Sequence, residues 1–256
     1  MRNAALIGFY TMIRKDTIRI FRIWTQTLLP PVITTSLYFA IFGGFIGSQV
    51  APIHGHSYMQ FIMPGLVMMT LITSAYMNTV STFYFAKFIK NIEELLVSPM
   101  PSWVVIAGFV AGGVVRALLV GICVIGVSLF FTHLTVANMF AVFGAGILTA
   151  LLFSLAGLVN GFFAKSFDAM SIIPTFVLTP LTYLGGVFYS IDLLPEPFRT
   201  LSLFNPILYM VNAFRYGFLG VSDIDPLLCF AVLIGLTVLF FLITLMLFVR
   251  GAGFKQ

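Results

Sequence analysis

An all-α polytopic membrane protein is the fold class that three features of this 256-residue sequence predict. Hydrophobic residues make up 60% of it and charged residues 8%, against about 25% charged in a soluble domain. Mean hydropathy is strongly positive, at +1.09. Six apolar runs are each long enough to cross about 30 Å of hydrocarbon: 25–47, 58–83, 103–131, 138–163, 169–188 and 227–249. Six spans use up most of the chain, so 1–256 reads as one membrane domain with no separate soluble part.

The segment 4–23 precedes the first run. Arg14, Lys15, Arg19 and Arg22 fall within one sector of a helix, while Leu6, Phe9, Ile13 and Phe21 are available to the acyl boundary. That pattern predicts a helix lying along the membrane surface with its basic groups meeting lipid phosphates, ahead of a solvated charged helix. No small-residue cleavage site follows an apolar run here, so a cleavable signal peptide is not expected.

An even number of spans places both termini on one side. Arg2, Arg14, Lys15, Arg19, Arg22, Lys87, Lys90, Lys165, Arg250 and Lys255 share one face, against Arg199 and Arg215 on the other, which predicts that this face is cytoplasmic. The +5 net charge thus lines the membrane surface, and no nucleic-acid partner is expected.

The second run carries Thr70, Thr73, Ser74, Asn78 and Ser81 at helical spacing. In lipid such a stripe seeks a partner or a wet cavity, and two readings stand: a translocation path, or contact between helices. After it comes YFAKFIKNIEELLVSPMP, Tyr84 to Pro101. Phe85, Phe88, Ile89, Ile92, Leu95 and Leu96 mark one helix face, and Lys87, Lys90, Asn91 and Glu94 the other. This predicts a short cytoplasmic amphipathic helix, with Lys90 and Glu94 four apart in its register and Pro99 and Pro101 ending it. A polar connecting loop is the alternative that pattern alone leaves open.

Arg116 lies about 20 Å along the third run at about 1.5 Å per residue. An arginine there costs about 2.5–3.5 kcal/mol on insertion scales, so it must face protein or water. It serves either to bridge backbone carbonyls of a broken helix or to touch cargo. The fifth run is interrupted by Pro174 and Pro180 and closes on Gly185 and Gly186, which predicts a kinked span. Beyond it, 191–221 is too proline-punctuated to span and too apolar for a free loop. Two short re-entrant helices meeting at Asn205 and Pro206 fit it best.

Cys123 and Cys229 fall within apolar runs and read as inert. His54 and His56 lie in the first loop on the far side and His133 in the second, with no Cys, Asp or Glu beside them in sequence, so no metal site is expected.

EELLVSPMP after the second run, PLTYLGGVFYS ending the fifth and NPILYMVNAFRYGFLG before the sixth resemble the permease subunit of bacterial type-2 ATP-binding-cassette exporters, over essentially the whole chain. The resemblance implies six spans forming half of a homodimeric pore in the inner membrane. It implies two copies of a separate ATPase subunit, which hold the ATP and Mg, with no cofactor in this chain. Tyr84 to Pro101 becomes the coupling helix, with Phe88, Ile92, Glu93, Glu94 and Leu95 meeting the ATPase. Spans two and five become the path, adding Thr175, Thr179, Thr182 and Tyr183 to the stripe above. Segment 191–221 becomes an outer lid, with Phe188, Leu203, Phe204 and Asn205 at the gate. The cargo class implied is broad: amphiphiles, lipids, glycans or drug-like molecules.

The residues themselves limit the rivals. No GxxxxGK[ST] loop is present, so nucleotide chemistry belongs to a partner. A gradient-driven transporter normally holds carboxylates near the midplane, and here every Asp and Glu lies outside the runs or at their ends. That transporter, or a channel, is the alternative reading. A membrane enzyme would need a clustered acid, base or nucleophile, which the sequence does not offer.

Overall fold

Helix boundaries in the chain follow from caps and prolines at the ends of the apolar runs. A computed structural model describes residues 2–47 and 49–251; Lys255, counted above among the charges of one face, lies outside them. The helices are α1 Arg2–Arg22, α2 Trp24–Ile46, α3 Tyr58–Phe88, α4 Asn91–Val97, α5 Ser102–Ser128, α6 Met139–Phe163, α7 in three abutting pieces over 167–183, α8 Glu196–Leu203, α9 Pro206–Leu219 and α10 Pro226–Val249. Among the described residues there is no strand, only an isolated bridge from Ile53 to His56.

Ser57 and Gln60 close a reciprocal capping box at the start of α3, each side chain serving the other's backbone N–H. Asn138 caps α6 by accepting from the Ala141 N–H, and Asn205 caps α9 by accepting from the Ile207 N–H. Pro206 and Pro226 occupy first-turn positions, where the missing N–H costs nothing.

α3 is the central helix, packed by α6, α5 and α9. Of its most apolar 18-residue window 78% is buried, against 11% for α2 and 17% for α10. Gly157 on α6 lets the two backbones approach, because a Cβ there would strike the Tyr76 carbonyl. Lys87, at the end of α3, donates to the Gly161 and Phe162 carbonyls at 3.3 and 2.9 Å and so caps the C-terminus of α6. It is half-buried and engaged, which removes it from the free charges of that face.

Among the described residues five helices are long and apolar enough to cross a membrane: α2, α3, α5, α6 and α10. The fifth apolar run instead gives pieces of 7, 5 and 5 residues, the middle one a widened π-type turn starting at Pro174. Proline cannot donate to the ladder, and the Thr179 hydroxyl donates to the Pro174 carbonyl at 2.9 Å across the wide turn. The helix stops at Tyr183, and the chain then reverses through Gly186 at φ +71°.

The expectation of one helix across Tyr84 to Pro101 needs correcting. Tyr84–Phe88 is the last turn of α3, and Lys90 takes a left-handed conformation (φ 60°) that breaks the register before α4 begins. Lys90 and Glu94 therefore do not share one helix face. The stop is where the prolines put it: Ser98 is extended and Pro101 precedes α5.

α1 does not turn all of its basic residues to the membrane surface either. Asp16 and Ile20 are buried against α5, where Gly112 leaves room for the Asp16 carboxylate. Arg19 turns inward to donate to Asn78 and Thr82 on α3, at 3.1 and 2.6 Å. Arg14, Lys15 and Arg22 stay exposed, as do Leu6 and Phe21, while Phe9 and Ile13 are half-buried.

Candidate functional site

Three regions hold the residues singled out by sequence. α4 follows the C-terminal end of α3. Glu93, Glu94 and Phe88 are exposed, Leu95 is half-buried, and Ile92 is 4% exposed. Ile92 belongs to an apolar cluster with Val105, Ile106 and Phe109, so it anchors α4 to α5 and offers nothing to a partner. The apolar side chains α4 does present are Leu96 and Val97, the latter 87% exposed. Phe167 packs against Tyr84 and Phe85 with centroids 5.1 and 5.2 Å away, joining the ends of α3 and α7.

A cleft of about 360 Å³ separates α4 from α1, lined by Lys15, Asp16, Arg19, Thr82 and Glu94 among others. Burial pushes the Asp16 carboxyl above its usual range, with Arg19 and Lys15 opposing more weakly. Arg116 is near enough to Arg19 for their charges to repel, and its Nε has no hydrogen-bond partner. Among the described residues no hydrogen bond from Arg116 to a backbone carbonyl is formed.

The second region is the face shared by α2, α3 and α7. Thr70 and Thr73 line a groove of about 230 Å³ with Thr34, Thr35 and Tyr38. Ser81 is half-buried, Thr179 half-buried, and Thr175 and Tyr183 exposed. Ser74, Asn78 and Thr182 are 4%, 1% and 1% exposed. The polar stripe straddles two sides of α3: Ser74 and Asn78 point into the bundle, where Asn78 receives Arg19. The Thr70, Thr73 and Ser81 hydroxyls donate to carbonyls of their own helix, so the span tolerates them without an outside partner.

The same face carries an aromatic cluster that sequence reasoning does not assemble. The Tyr38 and Tyr183 hydroxyls lie 3.2 Å apart, tying α2 to α7. Phe188 packs on Phe42, Tyr183 and Tyr38, with centroids 4.8, 5.8 and 5.9 Å away. Leu203 and Phe204, its expected companions at a gate, are exposed, and Phe204 at 83% exposure constricts nothing within one chain. Asn205 is 4% exposed and structural, donating to the Leu181 carbonyl at 2.6 Å.

The third region, at the end opposite α4, is organised by Arg215 of α9. Its side chain is fully buried, donates to the Gly186 carbonyl at 2.6 Å, covers the Phe61 ring at 3.8 Å and lies 3.6 Å from the equally buried Asp223. Burial disfavours the Arg215 charge, and the Asp223 carboxylate beside it opposes that effect. Arg215, not Arg116, braces the carbonyl left by a broken helix, and it is no surface charge. The signal that could have found it is a lone arginine within an apolar helix, eight residues before an aspartate. Asp223 also accepts from the Ser190 hydroxyl and the Ile191 N–H, and it lies 3.3 Å from His54. The premise that no acid attends the histidines holds in sequence and fails in space.

The apolar helices long enough to cross a membrane, with the short α4 at one end and the Arg215-braced segment at the other, form a helical membrane bundle. The family model for ABC-2 type transporters matches residues 8–219, and the chain belongs to that family. It is 57% identical over 242 residues to the inner membrane transport permease YadH of Escherichia coli K12, covering 94% of each chain, and equally similar to that of Shigella flexneri. Nodulation protein J of Rhizobium leguminosarum bv. viciae is 27% identical over 187 residues, 72% of this chain and 71% of its own. The protein is a multi-pass inner-membrane transport permease.

Proposed function

We propose that this chain is the membrane half of an ATP-driven exporter, working as a homodimer with two copies of a separate ATPase subunit. The carrying observation is α4: a seven-residue helix held to the bundle by Ile92 and presenting Glu93, Glu94, Leu96 and Val97 outward. Such a face needs a protein cover, and family membership makes that cover an ATP-binding subunit.

In this reading α7 is the fifth of six spans, both termini are cytoplasmic, and the exposed faces of α2 and α7 meet the second copy. Thr70, Thr73, Ser81, Thr175, Thr179 and Tyr183 border the path, and 191–221 closes its outer end. ATP and Mg act in the partner, whose hydrolysis drives an amphiphilic, lipid, glycan or drug-like cargo out of the cytoplasm or inner leaflet. A gradient-driven transporter lacks support, because no carboxylate lies within the helices long enough to span.

Native mass spectrometry of the permease co-expressed with its ATPase tests the reading. Two permeases with two ATPases are expected; a permease that is monomeric and binds no ATPase overturns it.

A further inference from the structure

Three donor groups far apart in the chain meet at the end opposite α4. His54 comes from the α2–α3 loop, Asp192 from a 3-10 turn over Ile191–Leu193, and Asp223 from the loop leading into α10. One donor atom of each lies within 4.8 Å of the other two. The His54 and Asp192 side chains are 37% and 48% exposed, whereas Asp223 is fully covered, so the cluster opens to water on one side and is anchored on the other.

The closest pair in the cluster has a spacing that a shared metal ion would accept. An imidazolium donating to a carboxylate closes to about 2.7–2.9 Å. Two ligands sharing a tetrahedral zinc at about 2.0–2.1 Å stand roughly 3.3 Å from each other. His54 Nε2 and Asp223 Oδ1 are 3.3 Å apart, which matches that edge, while the three donor atoms together spread over as much as 4.8 Å, so the exposed Asp192 carboxylate must swing inward to complete the set.

Charge points the same way. Asp192, Glu196 and Asp223 are opposed by Arg199 and Arg215, at 3.3 and 3.8 Å for Arg199 with Asp192 and Glu196, and 3.6 Å for Arg215 with Asp223. These five side chains leave one negative charge over for a cation. The Asp223 carboxylate is held in a fixed orientation by its neighbours. Ile191 and Arg215 engage Oδ2, and the Ser190 hydroxyl steadies Oδ1 from 2.8 Å, as outer contacts steady metal ligands elsewhere. One nitrogen and two carboxylate oxygens suit zinc better than calcium or magnesium.

We propose that His54, Asp192 and Asp223 bind one zinc ion, with water completing the tetrahedron. The ion ties the α2–α3 loop to both ends of the segment that contains α8 and α9.

The test uses the full-length permease without a histidine tag, in nanodiscs, titrated with zinc chloride after chelator treatment. One zinc per chain and a raised melting temperature are expected. His54→Asn and Asp192→Asn should each weaken binding at least tenfold and leave the metal-free melting temperature unchanged, and His56→Asn should bind as wild type. Asp192 is exposed enough that its variant reports even if His54→Asn folds poorly. Zinc uptake that is absent, or equal in wild type and the Asp192→Asn variant, overturns the site. So does a melting temperature that follows pH and ignores zinc, which would make the pair a proton latch.

Discussion

Arg215 and Asp223, both without solvent exposure, face each other at 3.6 Å and join α9 to the loop that enters α10. Removing one partner of a buried pair leaves the other charge uncompensated, at about 3–5 kcal/mol. Asp223→Ala should therefore lower the melting temperature and yield in detergent sharply. The double variant Arg215→Met with Asp223→Asn should recover part of the loss. A double variant no better than the single one would show that the pair is not what the fold depends on.

On α4, Glu94→Arg should reduce ATPase co-purification at least tenfold and leave permease stability untouched, because Glu94 is exposed. Ile92→Ala should do the reverse, costing about 2–5 kcal/mol of stability through the cavity it leaves. Pull-down and melting measured on both variants separate the two roles; equal effects on binding would place Ile92 at the contact after all.

Asp16 links stability to pH. Its carboxyl is raised above 3.8 by burial, so the folded state holds this proton more tightly than the unfolded state. That contribution is complete below pH 3.8 and is lost as pH rises through the raised value. Asp16→Asn should flatten the decline and leave the protein more stable at neutral pH, as read by melting temperature across a pH series. A parallel slope in both proteins would contradict the assignment.

With Cys123 and Cys229 replaced, cysteine at Thr73 or Thr179 should react with a water-soluble thiol reagent in one nucleotide state and less in another. Cysteine at Asn78 should stay inert, since Asn78 is 1% exposed and faces Arg19. Inertness at all three positions in every state would assign the hydroxyls to helix packing.

Phe204→Ser should leave assembly intact, because the side chain is 83% exposed in one chain. If α8 and its neighbour in the second copy close the outer end, that variant should raise ion leak through reconstituted vesicles. Unchanged conductance and coupling would make the segment a structural cap.

The apolar runs, the proline stops and the break at Asn205 and Pro206 were legible because each is a local matter. Hydrophobic periodicity, a missing N–H and a capping side chain act within one or two helical turns. The inward face of α1 was not: a basic sector looks the same whether it meets lipid or, as Arg19 does, a side chain 59 residues away. Nor was the broken register at Lys90, since an amphipathic pattern runs through a left-handed residue without interruption.

Sequence by itself determined that this chain lives in a membrane as a helical bundle, that no GxxxxGK[ST] loop is present, and that 191–221 is too proline-punctuated to span. Only the tertiary structure decided which charges are structural. Arg215 meets Gly186 and Asp223, and His54 meets an aspartate 169 residues further on. The physical reason is that burial and pairing of a charge depend on which helices pack together. A charged residue's own neighbours in sequence say how much apolar surface surrounds it, and nothing of the partner that makes its burial tolerable.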